Sequence, residues 1–160
     1  MSEPSPNKTL YLMQGIPASG KTTVARAVAG AFGYSRTYST DDFWGSNYDF
    51  KPELLGQAHD WNQANVIQAM IQGVLVIVVD NTNLSVKDMA PYCEMAAQFG
   101  YAVQLITVEC PLEIAIWRNS QRRASRQVPE ETIRKMYDRL RSNQQETALY
   151  VRSLNASSAD

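Results

Sequence analysis

Histidine and cysteine are scarce in this chain: one His and two Cys in 160 residues. Two cysteines, Cys93 and Cys110, make neither a disulfide framework nor a metal-ligand cluster, so both read as small core residues of a reducing compartment. His59, inside an apolar-periodic stretch, reads as a structural, hydrogen-bonded histidine. No apolar run is long enough to span a bilayer, and residues 1–7 are polar and proline-bearing without the apolar core of a secretory signal. A cytoplasmic location without a membrane partner is expected. The formal net charge of −1 carries no overall pull toward a polyanion. Internal repeats are absent, as is an Asn-Lys-x-Asp base-reading element, which counts against a GTPase. The length suits one core: a disordered start over residues 1–8, a single domain over 9–152 and a loose tail over 153–160.

Against these absences stands Gly15-Ile16-Pro17-Ala18-Ser19-Gly20-Lys21-Thr22, a complete G-x-x-x-x-G-K-[ST] loop between an apolar strand (residues 10–13) and a helix (21–29). Phosphate oxygens need many donors at short range, which a glycine-bearing loop at a helix N-terminus provides through its backbone amides. Gly15, Ala18, Ser19, Gly20, Lys21, Thr22 and Thr23 are therefore the candidate ATP-binding residues. Lys21 reaches the β- and γ-phosphates, and Thr22 offers a hydroxyl to Mg²⁺.

The remaining chain alternates. The first helix is expected to end near Phe32 with Gly33 as a left-handed cap. A short strand over 34–39 delivers Asp41 and Asp42 to its carboxyl end, where doubly wound folds bind their ligands. Residues 43–51, with several aromatics, suggest a loop shaping an acceptor pocket. A helix from Pro52 to Gly73 carries an apolar stripe of Leu54, Ala58, Trp61, Ala64, Ile67 and Ile71. Residues 74–79 form an unbroken apolar run ended by Asp80, the mark of a central strand covered on both faces, with Asp80 in a Walker B-like position for metal. Ser85 and Asp88 cap a helix closed by Gly100, and a strand over 101–108 follows. Pro111 opens a helix carrying Ile114, Ile116 and Trp117 that runs into a basic segment. The last helix starts at Pro129 with Ile133, Met136, Tyr137 and Leu140 as its buried stripe. Nine of the 15 Lys and Arg but four of the 16 Asp and Glu fall between residues 114 and 152, a local excess suited to ATP phosphates or a nucleic-acid backbone. The fold class is α/β: a P-loop NTPase fold with a parallel sheet flanked by helices on both faces and an arginine-bearing lid.

The ordered set of residues 15–22, Ser39-Thr40-Asp41-Asp42-Phe43, Asp80-Asn81-Thr82-Asn83-Leu84 and Arg118-Asn119-Ser120-Gln121-Arg122 up to Val128-Pro129 resembles the kinase module of bacteriophage polynucleotide kinase and its relatives in nucleic-acid repair. The likeness spans about residues 9–141, with the lid at about 118–128. The first half, with Ala58-His59-Asp60-Trp61-Asn62 and Asp80-Asn81-Thr82-Asn83, is also similar to small animal proteins related to the Nedd4-binding polynucleotide kinase. The resemblance implies ATP- and Mg²⁺-dependent phosphorylation of a nucleic-acid hydroxyl, the 5′-OH of DNA or RNA. On the matched positions Asp41 corresponds to the general base, Lys21 and Thr22 to phosphate and metal contacts, and Arg122 to the lid arginine on the donor phosphates. Arg126 joins the lid, and with Arg122 the ATP-binding residues, through a similar Arg-Gln-Val context in some bacterial relatives. Asp41, Trp44, Asn81 and Asn83 are the acceptor-side candidates, and Thr22 and Asp80 the metal ligands. Trp44 departs from the pattern, standing where the family usually has an arginine, which suggests stacking on a base. No phosphatase domain is expected. Two alternatives stay open: a kinase acting on another hydroxyl, such as a hydroxymethylated base in DNA, a nucleoside or another small molecule, and a non-catalytic nucleotide-binding adaptor. The oligomeric state is open.

Overall fold

A computed structural model of the chain describes residues 7–158, with side chains through Ala156. Four parallel strands lie in the order β2-β3-β1-β4, where β1 is Thr9–Gln14, β2 Ser35–Tyr38, β3 Val76–Val79 and β4 Ala102–Thr107. Five helices connect and cover them: α1 (Lys21–Gly30), α2 (Leu55–Ile71), α3 (Val86–Phe99), α4 (Leu112–Gln121) and α5 (Glu130–Ser158). Short 3₁₀ turns occupy Thr40–Trp44, Pro52–Leu54 and Ala124–Arg126.

The strand pattern decides which face each helix covers. Leu10 lies between Ile77 and Val103, and Leu12 between Val79 and Leu105, so these side chains share one face. They pack under Val66, Ala69 and Met70 of α2, Met89, Tyr92 and Cys93 of α3, and Val151 of α5. The alternate residues Tyr11, Met13, Val76, Val78 and Ile106 face Val24, Ala25 and Val28 of α1. All four residues of β3 are buried, as its unbroken apolar run requires, and β3 and β1 are the two interior strands. Parallel strands put their carboxyl ends at one edge, so the loop after β1, the turn after β2 and Asp80 after β3 meet there.

Gln14, fully buried at the end of β1, fixes this edge. Its Nε2 donates to the Asn83 carbonyl (3.0 Å) and to Thr147 Oγ1 of α5 (2.9 Å), while its Oε1 accepts from Thr107 Oγ1 of β4 (2.8 Å). A buried amide is tolerated because both its ends are paired.

Several expectations are corrected. Gly33 is not a left-handed cap; α1 ends at Gly30 with a right-handed Ala31 following. Gly100 does take the left-handed cap position, at φ 78°. The buried stripe of α2 is Ala58, Asn62, Val66, Ala69 and Met70, rotated from the expected one; Trp61 and Ile71 are exposed. Asn62 enters the core because its Nδ2 donates to Tyr92 Oη (2.8 Å). On α4 the buried residues are Ala115 and Asn119, with Ile114 and Trp117 exposed. The tail assigned to 153–160 is helical to Ser158: Leu154 packs against the core and Asn155 Nδ2 donates to the Val103 carbonyl (3.0 Å). At the other end, residues 1–6 of the expected disordered start lie outside the described residues, but Lys8 is already anchored, its carbonyl accepting from Ala102 N (2.9 Å) and its ammonium lying over the Tyr101 ring.

Candidate active site

The loop after β1 is shaped by two left-handed residues, Ala18 (φ 62°) and Gly20 (φ 98°). The first is unusual for a residue with a Cβ, and such backbone strain of about 1–3 kcal/mol gathers at ligand clamps. Gly15 is required by space. A Cβ there would stand 2.9 Å from Ser19 Oγ and 3.0 Å from the Val108 carbonyl, so any larger residue displaces the loop. The first bond of the helical ladder is Val24 N to the Gly20 carbonyl (3.2 Å). The amides of Lys21, Thr22 and Thr23 thus open α1 without helical partners, a start suited to an anion.

Three charged features converge on this loop. Thr22 Oγ1 donates to Asp80 Oδ2 (2.9 Å), joining the loop to the end of β3. Lys21 Nζ lies 3.4 Å from the Ile16 carbonyl, and burial lowers its pKa; Asp80 and Asp41 oppose that shift while Arg122 adds to it. A desolvated ammonium of this kind gains from a phosphate partner. Third, Arg118 Nη1 lies 3.5 Å from the Ser19 carbonyl and 3.8 Å from Cys110 Sγ. Cys110 is accordingly half-buried beside the loop, whereas Cys93 is a core thiol whose pKa burial pushes up to about 11. Thr22 and Asp80 supply hard oxygens, and among the described residues no group of three or more His, Cys, Asp or Glu gathers into a closed metal cage. That donor set fits Mg²⁺, which takes few protein oxygens and completes its shell with phosphate and water.

The acceptor side hangs on the 3₁₀ turn Thr40–Trp44. Ser39 Oγ caps it by accepting from Asp41 N (3.3 Å), and Asn81 Oδ1 accepts from Thr40 N (2.9 Å). Asn81 Nδ2 in turn reaches Tyr92 Oη (3.4 Å), so this side chain braces the turn from behind. His59, exposed on α2, lies 3.5 Å from Thr40 Oγ1. Asp41 is exposed, and its Oδ1 accepts from Tyr48 Oη (2.9 Å). Burial, together with the charges of Asp41 and Asp80, raises the pKa of the neighbouring Asp42.

Two acceptor-side expectations do not match the geometry. Trp44 is 7% exposed, its ring held edge-on between Phe43 (5.0 Å) and Phe50 (4.9 Å), and it presents no face to a base. The aromatics of this segment pack on one another around Trp44, with Phe50 on the exposed side. Asn83 is buried at φ 47°, with Nδ2 donating to the Met13 carbonyl (2.7 Å); it ties the loop after β3 to β1 and does not face the cleft.

The lid is pinned at its base by Asn119, whose Nδ2 donates to the Val128 carbonyl (2.7 Å) and whose Oδ1 accepts from Val128 N (2.9 Å). Inside this clasp Gln127 Nε2 donates to the Arg122 carbonyl (2.8 Å). Arg122 caps α4 near Lys21 and Tyr48, close enough to act on the ionisation of both. Arg126 lies over the Tyr48 ring, 5.0 Å from its centroid, and Arg123 Nη2 donates to the Ser46 carbonyl (2.7 Å). Arg126, expected on ATP, therefore stands on the acceptor side. Beyond the lid much of the basic excess is paired: Arg134 with Glu113 and Glu130, Lys135 with Glu131, Arg139 with Asp88, while Arg141 donates to Tyr137 Oη (2.9 Å). Lys21 and the lid-side Arg118, Arg122, Arg123 and Arg126 supply cationic charge at the cleft.

Sequence reasoning missed Tyr48 and Gln14, and named Arg118 and Asn119 only within the lid motif, without a role of their own. Arg118 was findable, since positions i and i+4 share a helix face and Arg122 was already in view. Tyr48 carries no such signal, because its partner lies seven residues back across an irregular turn.

Residues 10–145 match a family model described as AAA domain, and the chain belongs to that family. Human NEDD4-binding protein 2 is 36% identical over 96 residues, which are 59% of this chain but 5% of that protein's length. Among solved structures, the Pnkp1/Rnl/Hen1 RNA repair complex contains a chain that superposes with a TM-score of 0.74 at 19% identity, over 89% of this chain and 47% of that one. Chaetomium thermophilum Kti12 in complex with ADP-AlF3 gives 0.64 at 20% identity, over 81% and 79%. At these identities the structures show the fold alone, a parallel sheet flanked by helices with the phosphate-binding loop after its first strand. Among the described residues no helix is long and apolar enough to cross a membrane.

Proposed function

We propose that this member of the AAA domain family is an ATP-dependent kinase that transfers the γ-phosphate to a nucleic-acid hydroxyl, the 5′-OH end of DNA or RNA. The observation that carries the reading is the meeting of Lys21, the Thr22–Asp80 pair, Asp41 and Arg122 at one edge of the sheet. These are the parts phosphoryl transfer needs: a cradle for the donor, charge neutralisation, and a carboxylate for the acceptor's proton. The amides of residues 20–23 and Lys21 hold the β- and γ-phosphates, and Arg118 and Arg122 balance their charge from above. Thr22 and Asp80 would hold Mg²⁺, which neutralises phosphate charge when bound. Asp41 orients the acceptor hydroxyl and takes its proton as the new O–P bond forms and the bond to the β-phosphate breaks, its electron pair leaving on ADP.

A nucleic-acid acceptor draws support from the fold likeness to a component of an RNA repair complex and from the arginines around the cleft. Burial of Trp44 removes the observation that favoured a modified base as acceptor. The test is label transfer from γ-labelled ATP with Mg²⁺ to 5′-hydroxyl oligonucleotides, beside end-blocked DNA carrying hydroxymethylated pyrimidines. Label on the 5′ end, lost in Asp41→Asn, supports the reading; label solely on the blocked DNA, or on neither, overturns it.

A further inference from the structure

Tyr48 is the point where the lid and the acceptor-side carboxylate meet, and the chain takes an unfavourable conformation to put it there. Its φ of 51° is left-handed, uncommon for a residue with a Cβ. The loop of residues 45–50 is wound tightly around it: Tyr48 N donates to the Gly45 carbonyl (3.1 Å), Asp49 N to the Trp44 carbonyl (3.2 Å), and Phe50 N to the carbonyl of Tyr48 itself (3.0 Å). Its ring stacks on Phe50 at 6.5 Å between centroids, and Phe50 stands against the buried Trp44. The aromatic core that hides Trp44 therefore serves as a backing for Tyr48.

The two ends of this side chain have separate tasks. Burial and the adjacent Asp41 charge raise the phenol's pKa, so it stays a neutral donor to the carboxylate at physiological pH. It binds one carboxylate oxygen, Oδ1 of Asp41, and leaves the other for an acceptor hydroxyl. On the ring side the guanidinium of Arg126 rests at 5.0 Å, and three residues earlier Arg123 holds the Ser46 carbonyl at 2.7 Å. The lid thus docks on the same short loop that aims Asp41.

We propose that Tyr48 is a positioning residue that couples the arginine lid to Asp41: its hydroxyl fixes the carboxylate and its ring seats Arg126, so that docking the lid and aligning the acceptor-side carboxylate are one event. The inference rests on the kinase reading for its consequence in turnover but not for the coupling itself. Arg122, directly before the docked segment, is then held toward the phosphates only while the lid is seated on Tyr48.

The test uses the full chain with Tyr48→Phe, Tyr48→Ala and Arg126→Ala. Amide hydrogen exchange of residues 122–128 reads lid docking without reference to activity. Tyr48→Phe keeps the ring but releases it from Asp41, so by reciprocity it should speed lid exchange a few-fold, while Tyr48→Ala and Arg126→Ala should each speed it at least about tenfold. The ¹³C resonance of the Asp41 carboxyl at fixed pH reads the hydroxyl contact; it should move in Tyr48→Phe and, because undocking the lid loosens Tyr48, in Arg126→Ala as well. In turnover, Tyr48→Phe should lower kcat about tenfold, the effect of one hydrogen bond to a charged group of about 1.5 kcal/mol, with KM for ATP unchanged. Unaltered lid exchange in Tyr48→Ala, or an Asp41 resonance unmoved in Arg126→Ala, overturns the coupling. If the parent chain phosphorylates no end-hydroxyl oligonucleotide, the functional reading fails, and exchange and resonance still decide the coupling.

Discussion

On the donor side of the cleft the binding groups are backbone amides, set by Ala18 and Gly20 in left-handed conformations within one eight-residue stretch. On the acceptor side every group of interest is a side chain held by other side chains: Asp41 by Tyr48, Tyr48 by Phe50 and Arg126, and the turn beneath them by Asn81, Tyr92 and Asn62. The first construction is local and depends on few side chains. The second draws on α2, α3 and the lid, so a change in any of them reaches the acceptor. Binding of the nucleotide and selection of the acceptor should accordingly respond to different substitutions.

Arg122→Ala is expected to break the comparison most severely, because it stands between the two sides. Loss of an arginine on the transferring phosphoryl costs about 10³–10⁵ in turnover, measured under single-turnover conditions, with ATP affinity changed far less. Trp44→Ala should destabilise the chain by about 3–5 kcal/mol in chemical denaturation, as removal of a buried aromatic does, and loosen the acceptor side while fluorescent-nucleotide binding survives. If Trp44 instead stacked on a base, stability would hold and acceptor affinity alone would fall. Gly15→Ala acts on the donor side. The added Cβ meets the Val108 carbonyl at 3.0 Å, and the shifted loop should cost about 10²-fold in turnover, with a normal melting temperature. Smallest is Ser85→Ala, which removes the α3 cap that accepts from Asp88 N (3.3 Å) and from Arg139 Nη2 (3.0 Å). It should cost about 1 kcal/mol of stability and leave both sides of the cleft untouched.

The donor side was legible in sequence because its chemistry is contiguous: spacing alone names Gly15, Gly20, Lys21 and Thr22. The interior strand β3 was legible for a related reason, since burial on both faces leaves an unbroken apolar run. Legibility fails where a residue's environment is decided by a distant partner. Asn62 looks like a surface residue until Tyr92 supplies its hydrogen bond, and that one polar core position rotated the reading of the whole α2 stripe. Trp44 looks like a binding aromatic until Phe43 and Phe50 enclose it. Asn83 shares a motif with Asp80 and Asn81, yet it turns inward because its amide is needed by Met13 and its backbone by Gln14. The end of α5 was lost to composition: small polar residues read as a tail, but Leu154 and Asn155 find β4.

The most direct test of the two-sided cleft is to measure, on one preparation of Asp41→Asn, both ATP binding and label transfer to a 5′-hydroxyl oligonucleotide. The account expects nucleotide affinity within a few-fold of the parent and transfer reduced by about 10²–10⁴, the worth of a general base. Transfer at the parental rate, or binding and transfer lost together, would contradict it.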